Sequence, residues 1–254
     1  MLSNATMMGQ VVLITGGSGG IGRVIANRFL QAGADVVICS RHEVRTLPGG
    51  GRGKAISWVQ ADVCKPRDVE KVITFVSQHF ERLDVLINNA GGAELADTAS
   101  VSMASSQRTL TFNVLAPLLF SQQAHLLMKG QPEGGAIINI GCTSGIRPSP
   151  GAAVYGASKA ALLHLTQTLA VEWGPKVRVN AVIPGPTRTE KTELYYGDEM
   201  EQRHIVNRIP LRRFTSPIDV AEACLFLASD KAANITGTLL NVDGGGEQIP
   251  FLRR

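Results

Sequence analysis

The chain has 254 residues, 44% of them hydrophobic and 18% charged, and a formal net charge of +4. This composition is typical of a folded globular protein and excludes a disordered one. No apolar run reaches the roughly 18 residues that a membrane-spanning helix requires. No linker-like stretch or internal repeat divides the sequence, so we expect one domain over residues 1–254. Met1–Gln10 lacks the basic and apolar parts of a signal peptide, which predicts a cytoplasmic protein with no membrane partner.

The cysteines and the basic residues each exclude a class of function. Cys39, Cys64, Cys142 and Cys224 form no CxxC pair and have no histidine cluster beside them. We therefore predict no metal site and no disulfide framework, as in a reducing compartment. The lysines and arginines are scattered and not interleaved with aromatic residues, so we predict no nucleic-acid partner despite the positive net charge.

Short runs rich in β-branched residues alternate with helical patterns along the chain. The predicted strands are Val11–Ile14, Asp35–Cys39, Ala55–Gln60, Asp84–Asn88, Ala136–Ile140, Val177–Ile183 and Thr238–Val242. The predicted helices are Arg23–Gln31, Val69–Phe80, Met103–Lys129, Tyr155–Glu172 and Pro217–Leu227. The strands are apolar almost throughout, which is typical of strands covered on both faces. We therefore predict an α/β fold, with a doubly wound parallel sheet of seven strands and helices on both of its faces.

A glycine-rich segment joins the first predicted strand to the first predicted helix. Thr15–Gly22 reads Thr-Gly-Gly-Ser-Gly-Gly-Ile-Gly. At that place, glycines let the backbone approach a pyrophosphate, and the free N–H groups of the helix start attract its charge. The alternative is an ordinary glycine-rich turn. The strand before the segment and the helix after it favour a dinucleotide site.

The tip of the second predicted strand indicates which dinucleotide is preferred. An acidic residue at this tip binds the ribose 2′-hydroxyl of NAD, but the chain has Ser40 and Arg41 there. A hydroxyl and a guanidinium suit a 2′-phosphate, so we predict that NADP(H) is preferred over NAD(H). The alternative is that Arg41 is only a solvated surface residue. The connection that follows, Arg41–Lys54, contains Pro48–Gly51 and is predicted to hold at most one helical turn and then a loop.

Further motifs follow the later strands in order, and with them nearly the whole chain resembles the short-chain dehydrogenase/reductase family. Besides the glycine loop, these motifs are Asp62-Val63, Asn88-Asn89-Ala90-Gly91, Asn113, Tyr155-xxx-Lys159, Pro184–Thr189 and Val242–Gly245. The nearest likeness is to the branch that contains 3-oxoacyl-carrier-protein reductases. The resemblance implies a Rossmann-type domain that transfers a hydride between a nicotinamide and a carbonyl or alcohol substrate.

The resemblance also implies which residues bind the cofactor. The pyrophosphate would lie on the glycine loop, at Gly16, Ser18, Gly20, Ile21 and Gly22. The adenine would contact Asp62 and Val63, and the middle of the cofactor would lie beside Asn89, Ala90 and Gly91. The nicotinamide would be bordered by Pro184, Gly185, Thr187 and Thr189, with Tyr155 and Lys159 on its other side.

Tyr155 and Lys159 are the predicted reacting centre. They lie one helical turn apart and share a helix face, so the ammonium group is expected to lower the tyrosine pKa and make its proton available. The alternative is an ordinary surface pair. The resemblance adds that Lys159 hydrogen-bonds the nicotinamide ribose, and that Asn113 holds a helix irregularity and a water that connects Lys159 to solvent.

Cys142 departs from the family pattern, which has a serine thirteen residues before the tyrosine to hold the substrate oxygen. A thiol is a weaker hydrogen-bond donor than a hydroxyl. Three outcomes stay open: Cys142 fills the role, Ser144 replaces it, or the protein binds cofactor with little turnover and acts as a regulatory or scaffold protein. We include Cys142 with Tyr155, Lys159 and Asn113 among the predicted catalytic residues.

Substrate specificity is expected in Gly92–Leu95, Ile146–Val154 and Glu190–Ile209, with a lid at about residues 187–210 that is rich in polar groups. Leu194, Tyr195 and Tyr196 could supply its apolar walls. The partner is predicted to be a small carbonyl or alcohol. The resemblance, together with the apolar Ala160–Leu163, further predicts a homo-oligomer, either a tetramer or a dimer.

Overall fold

The computed structural model describes residues 7–42, 55–92 and 97–246. Within these ranges, seven strands form one sheet in the order β3-β2-β1-β4-β5-β6-β7, and every neighbouring pair is parallel. The strands are β1 (Val11–Thr15), β2 (Asp35–Ser40), β3 (Ser57–Gln60), β4 (Val85–Asn88), β5 (Gly135–Ile140), β6 (Val177–Pro184) and β7 (Leu239–Val242). The predicted doubly wound sheet is confirmed.

The α-helices of the described residues lie in the connections between the strands. They are α1 (Gly20–Gln31), α2 (Pro66–Phe80), α3 (Met103–Leu110), α4 (Ala116–Met128), α5 (Ala153–Trp173), α6 (Thr192–Tyr196), α7 (Glu199–Val206) and α8 (Pro217–Ala228). None of them has a stretch that is long and apolar enough to cross a membrane. The predicted turn and loop at Arg41–Lys54 lie outside the described residues from position 43 onward.

Alternation along each strand divides the core into two layers. In β1, Val12 and Ile14 pack in the cluster that includes α1 and α8, while Val11 and Leu13 pack with α2, α4 and α5 on the opposite face. Because both faces are covered, the strand is buried at every position, which explains the continuous apolar pattern in the sequence.

The helix predicted over Met103–Lys129 is interrupted in the structure. Thr111–Leu115 forms a π-helical segment between α3 and α4, and the N–H of Ala116 donates to the carbonyl of Thr111, five residues before it. A hydrophobic pattern alone cannot reveal one wider turn inside a helix. The segment matters because π-bulges are frequent at functional sites and because Asn113 lies within it.

The segment between β6 and α8 folds into two short helices that the sequence pattern did not predict. Asp198 and Glu201 form a reciprocal capping box at the start of α7, which satisfies N–H groups that have no partner inside the helix. One residue of each helix, Tyr196 and Ile205, lines a cavity together with residues that follow β5 and β6.

Candidate active site

The glycine loop packs more closely than a side chain would allow. A Cβ on Gly22 would lie 2.4 Å from both the carbonyl oxygen of Gly16 and the side-chain nitrogen of Asn89. Gly16 has a φ of +67°, a conformation that glycine adopts without strain, and its N–H donates to the carbonyl of Cys39 at 2.9 Å. The loop is thereby bent across the ends of β1 and β2.

Asn89 and Thr15 fasten this loop to the end of β4. The Asn89 side chain donates to the carbonyls of Thr15 and Gly16 at 2.9 and 3.1 Å. The backbone N–H groups of Asn89 and Ala90 both donate to the Thr15 hydroxyl at 3.0 Å. The side-chain amide of Asn89 therefore supports the loop, and the N–H groups at the start of α1 can face a ligand.

A carboxylate already lies at the start of α1. Oε1 of Glu190 accepts a hydrogen bond from the Gly20 N–H at 3.0 Å, and no side chain of the capping residue Gly19 serves the helix end. The helix start thus binds an anionic oxygen in this structure. This fits the loop's expected affinity for a pyrophosphate.

At the expected binding site for the adenosine half of the cofactor, some polar groups already form hydrogen bonds within the protein. The Ser40 hydroxyl donates to the carbonyl of His42 and accepts from the Trp58 indole, both at 2.9 Å. Arg41 is exposed.

Burial raises the pKa of the Cys64 thiol. Asp62 raises this pKa further and Arg41 opposes the rise, because both charges lie near the thiol. Asp62 also accepts from the Cys64 N–H at 3.0 Å, and the neighbouring Val63 is buried.

The π-helical segment turns the fully buried Asn113 toward the end of β4. Its side-chain nitrogen donates to the carbonyls of Gly92 and Thr109 at 2.8 and 2.9 Å, and its oxygen accepts from the Gly92 N–H at 3.0 Å. A Cβ on Gly91 would lie 2.8 Å from that oxygen and 3.1 Å from Nζ of Lys159. The Asn113 side chain therefore holds the segment after β4 close to Lys159.

Lys159 is buried, and its ammonium group points to the end of β5. Its Nζ donates to the carbonyl of Ile140 at 2.8 Å and lies 5.9 Å from the centre of the Tyr155 ring. Burial lowers the pKa of Lys159 to about 8, and the neighbouring Cys142 partly offsets this effect. The amine is therefore poised to change its charge near neutral pH.

Cys142 meets Tyr155 directly. The thiol lies close enough to the tyrosine hydroxyl to raise its pKa, and the N–H of Ser144 donates to the sulfur at 3.5 Å. The turn after β5 presses tightly on α5, since a Cβ on Gly145 would lie 2.8 Å from the backbone of Lys159. This close packing fixes the thiol relative to the tyrosine.

The expected lowering of the Tyr155 pKa by Lys159 is not found in this structure. Burial raises the pKa of Tyr155 well above its ordinary value, and the neighbouring Cys142 side chain raises it further. The expectation counted only the helix spacing. In the fold, the ammonium group bonds to Ile140 instead of the phenol, and burial of the hydroxyl dominates.

A cavity of about 250 Å³ opens beside Cys142. Its lining residues come from the turn after β5, from the segment after β6 and from the two short helices: Cys142, Thr143, Ser144, Arg147, Gly185, Pro186, Tyr196 and Ile205. Tyr196 stacks on Phe214 with ring centres 5.3 Å apart. Of the three proposed apolar walls only Tyr196 lines this cavity, whereas Leu194 and Tyr195 are exposed. Residues 93–95 of the expected Gly92–Leu95 wall lie outside the described residues.

The segment after β6 is tied to the last strand. Pro184 pairs with Val242, and a Cβ on Gly185 would lie 2.9 Å from the Cα of Asp243. The Thr187 hydroxyl donates to the Gly185 carbonyl at 2.8 Å. Thr189, by contrast, is bonded within its own turn, where its hydroxyl accepts from the Lys191 N–H at 3.2 Å. The expected nicotinamide border therefore lies at the same sheet edge as the glycine loop and Lys159.

Sequence reasoning missed two contacts of this site. The carbonyl of Ile140, which holds Lys159, carries no sequence signal because any residue supplies one. Glu190 carries a weak signal, since it directly follows the motif Pro184–Thr189, but its partner Gly20 is far away in the chain.

Comparisons with known proteins agree with this arrangement. The profile of the family described as enoyl-(acyl carrier protein) reductase matches residues 16–247. An uncharacterized short-chain type dehydrogenase/reductase from Sinorhizobium fredii is 35% identical over 93% of this chain and 43% of its own length. The 4-formylbenzenesulfonate dehydrogenase of Comamonas testosteroni is 36% identical over 93% of this chain and 97% of its own. The chain belongs to the short-chain dehydrogenase/reductase family.

The fold of this dehydrogenase/reductase matches solved members of the family. A 7α-hydroxysteroid dehydrogenase in complex with NADH and 7-oxo glycochenodeoxycholic acid superposes with a TM-score of 0.88, at 29% identity over 97% of both chains. The expected family, its reductase-like branch, the fold and the oxidoreductase class are confirmed. These relatives give no support to a regulatory or scaffold role without turnover.

Proposed function

We propose that this dehydrogenase/reductase transfers a hydride between NADP(H) and a small carbonyl or secondary alcohol, with Tyr155 as the proton donor and acceptor. The observation that carries this proposal is the cluster of Tyr155, Lys159 and Cys142 beside a cavity at the carboxyl edge of the sheet. Ligands bind at this edge in open parallel sheets.

A nicotinamide dinucleotide supplies the hydride when it is bound. The glycine loop (Gly16, Ser18, Gly20, Ile21 and Gly22) would hold its pyrophosphate, and Asn89, Ala90 and Gly91 would lie beside its middle. Asp62 and Val63 would contact the adenine, and Pro184, Gly185, Thr187 and Thr189 would border the nicotinamide. The tight glycine packing and the anionic oxygen at the start of α1 support this assignment.

The preference for NADP(H) rests on Ser40 and Arg41. Arg41 is exposed, and near Ser40 it gives this end of the site a positive charge that suits a 2′-phosphate. NAD(H) is the alternative, because the superposed steroid dehydrogenase binds NADH.

Tyr155 moves the proton in the proposed reaction. During reduction, its hydroxyl gives a proton to the substrate oxygen, and the Cys142 thiol donates a hydrogen bond to the same oxygen. Lys159 lies near the phenol, with its Nζ 5.9 Å from the ring centre, and its pKa of about 8 suits proton exchange with solvent near neutral pH. Asn113 holds the segment beside Lys159, and a water between the two would connect the amine to solvent.

The cavity walls limit the substrate. Tyr196 from α6 and Ile205 from α7 line the cavity together with Pro186, so we assign residues 187–210 as a lid within one domain that spans residues 1–254. The named relatives act on a formyl compound and an oxo steroid, which are both carbonyls. Arg147, which also lines the cavity, would favour a substrate with an acidic group.

We also propose that the protein is a cytoplasmic homo-oligomer, a tetramer or a dimer. Exposed apolar side chains on α4, α5 and α8 support this assignment: Leu126 is 54%, Val171 85% and Phe226 41% exposed. Exposed apolar side chains of this kind can be covered in symmetric assemblies. Light scattering at micromolar concentration tests the proposal, and a purely monomeric species would contradict it.

The activity is tested with a panel of aldehydes, ketones and oxo steroids, followed by the absorbance of NADPH. The alcohols are assayed in the reverse direction with NADP⁺. Turnover of at least one carbonyl class is expected. Tight dinucleotide binding without any turnover across the panel would instead support the regulatory alternative.

A further inference from the structure

Glu190 caps a helix that lies 170 positions before it in the chain. Its Oε1 accepts the Gly20 N–H at 3.0 Å and would lie 3.3 Å from a Cβ on Gly19. The first turn of α1 has no acidic residue and its capping residue has no side chain. The helix start therefore takes its negative charge from the segment after β6, where the helix dipole favours it.

The Gly20 N–H, from which Glu190 accepts, is one of the donors assigned above to the cofactor's pyrophosphate. A carboxylate and a pyrophosphate compete at this helix start, because both are anions and both accept from the same N–H. One of them has to leave when the other binds. The Glu190 side chain is exposed, so it can move away into solvent.

We propose that Glu190 competes with the dinucleotide for the start of α1. The Glu190 carboxylate caps α1 until the pyrophosphate displaces it, and this displacement frees the lid, residues 187–210, from α1. This inference rests on the proposed function. It assigns Glu190 as a residue that sets dinucleotide affinity, and not as a catalytic residue.

The coupling follows from the turn in which Glu190 lies. The Thr189 N–H donates to the Thr192 hydroxyl at 2.8 Å, and that hydroxyl donates back to the Thr189 carbonyl at 2.6 Å. Thr192 is the first residue of α6, and Tyr196 at the end of α6 lines the cavity. A displacement of Glu190 thus acts on a compact turn that leads directly to the cavity wall.

The affinity test compares Glu190→Gln with the wild-type protein by calorimetric titration of NADPH and of NADH. The variant removes the competing charge, so both dinucleotides are expected to bind about two- to fivefold more tightly, the effect of one charge at a helix start. The affinities for NADPH and NADH are expected to change by the same factor, because Glu190 competes with the pyrophosphate, which both have, and not with the 2′-phosphate. Glu193→Gln removes the same charge from an exposed position of α6 and is expected to leave both affinities unchanged.

The coupling test measures hydrogen–deuterium exchange of peptides that cover residues 187–206, without dinucleotide. Exchange is expected to be faster in Glu190→Gln than in the wild-type protein or in Glu193→Gln. Unchanged or weaker dinucleotide binding, equal tightening in Glu193→Gln, or unchanged exchange of the lid would each overturn the proposal. If the wild-type protein binds dinucleotide and Glu190→Gln binds it equally, the proposed function stands and only the role of Glu190 fails. If none of the wild-type protein, Glu190→Gln and Glu193→Gln binds dinucleotide, both the proposed function and the role of Glu190 fail.

Discussion

The thiol of Cys142 lies beside the hydroxyl of Tyr155 and raises the pKa of that hydroxyl. The sulfur also accepts the N–H of Ser144, so the backbone orients it toward the tyrosine. Of the two residues that the sequence left open for the serine role, Cys142 is therefore the one beside the phenol. Cys142 is a weaker donor than serine, and it lies where a hydrogen bond to the substrate oxygen is expected. Substitutions at this position test its role directly.

Cys142→Ser is expected to keep or raise kcat/KM. A hydroxyl makes a stronger hydrogen bond to the developing charge, which can contribute about 1–3 kcal/mol, or roughly tenfold or more in rate. Steady-state kinetics with the best substrate of the panel measure the effect. A large loss of activity would contradict the assignment, because it would mean that the thiol itself is required.

Ser144→Ala is the matched variant. It removes a hydroxyl from the same cavity wall and keeps the backbone N–H that donates to Cys142. We expect less than a threefold change in kcat/KM, since hydrogen bonding to the reacting oxygen comes from Cys142. If Ser144→Ala were severely impaired while Cys142→Ser behaved like the wild-type protein, Ser144 would hold the role instead.

Tyr155→Phe is expected to abolish turnover and to spare dinucleotide binding. The change removes the proton donor but keeps the ring, which contributes mainly packing. kcat and the dinucleotide Kd are measured side by side, with Tyr195→Phe as the control because that tyrosine is partly exposed. Retention of more than a few per cent of wild-type kcat would rule out this mechanism.

Lys159 is expected to make stability depend on pH. Its pKa in the folded protein is about 8, below its ordinary value, so the unfolded chain binds more protons between about pH 8 and pH 10. Stability from this group therefore rises with pH across this window, by about 2 kcal/mol between pH 7.5 and pH 9.5. Lys159→Met should lose this increment.

Urea unfolding of the wild-type protein and of Lys159→Met at the two pH values measures the difference. The comparison cancels other groups that titrate in the same range. Equal pH dependence in both proteins would show that the amine is solvated in the folded state, contrary to its contact with Ile140.

Arg41→Ala is expected to remove the preference for NADP(H). Loss of a charge-assisted contact with a 2′-phosphate should weaken NADPH binding by about 1.5–3 kcal/mol, roughly ten- to hundredfold, with little effect on NADH. Fluorescence titration of both dinucleotides measures this, with Arg108→Ala, an exposed arginine on α3, as the control. Equal wild-type affinities, or an NAD(H) preference that survives the change, would disprove the prediction.

The amino-acid sequence alone determined the layers of the fold and the order of its motifs. The run Val11–Ile14 is apolar on both faces because helices cover both sides of the sheet, so its pattern by itself predicts a parallel sheet. The glycine spacing of Thr15–Gly22 and the four-residue spacing of Tyr155 and Lys159 are likewise local properties, since a tight loop and a helical turn are set by neighbouring residues.

The tertiary structure decided which groups meet. Cys142 and Ser144 are both plausible partners of Tyr155 by sequence, and only the packing of the turn after β5 against α5 brings the thiol to the phenol. The direction of the Lys159 amine depends on the carbonyl of Ile140, which is a backbone group without sequence identity. Glu190 meets Gly20 only because parallel strands bring their carboxyl ends to one edge. Helix spacing could predict a charge near Tyr155. The pKa of the tyrosine, however, depends on burial, and burial is a property of the whole fold.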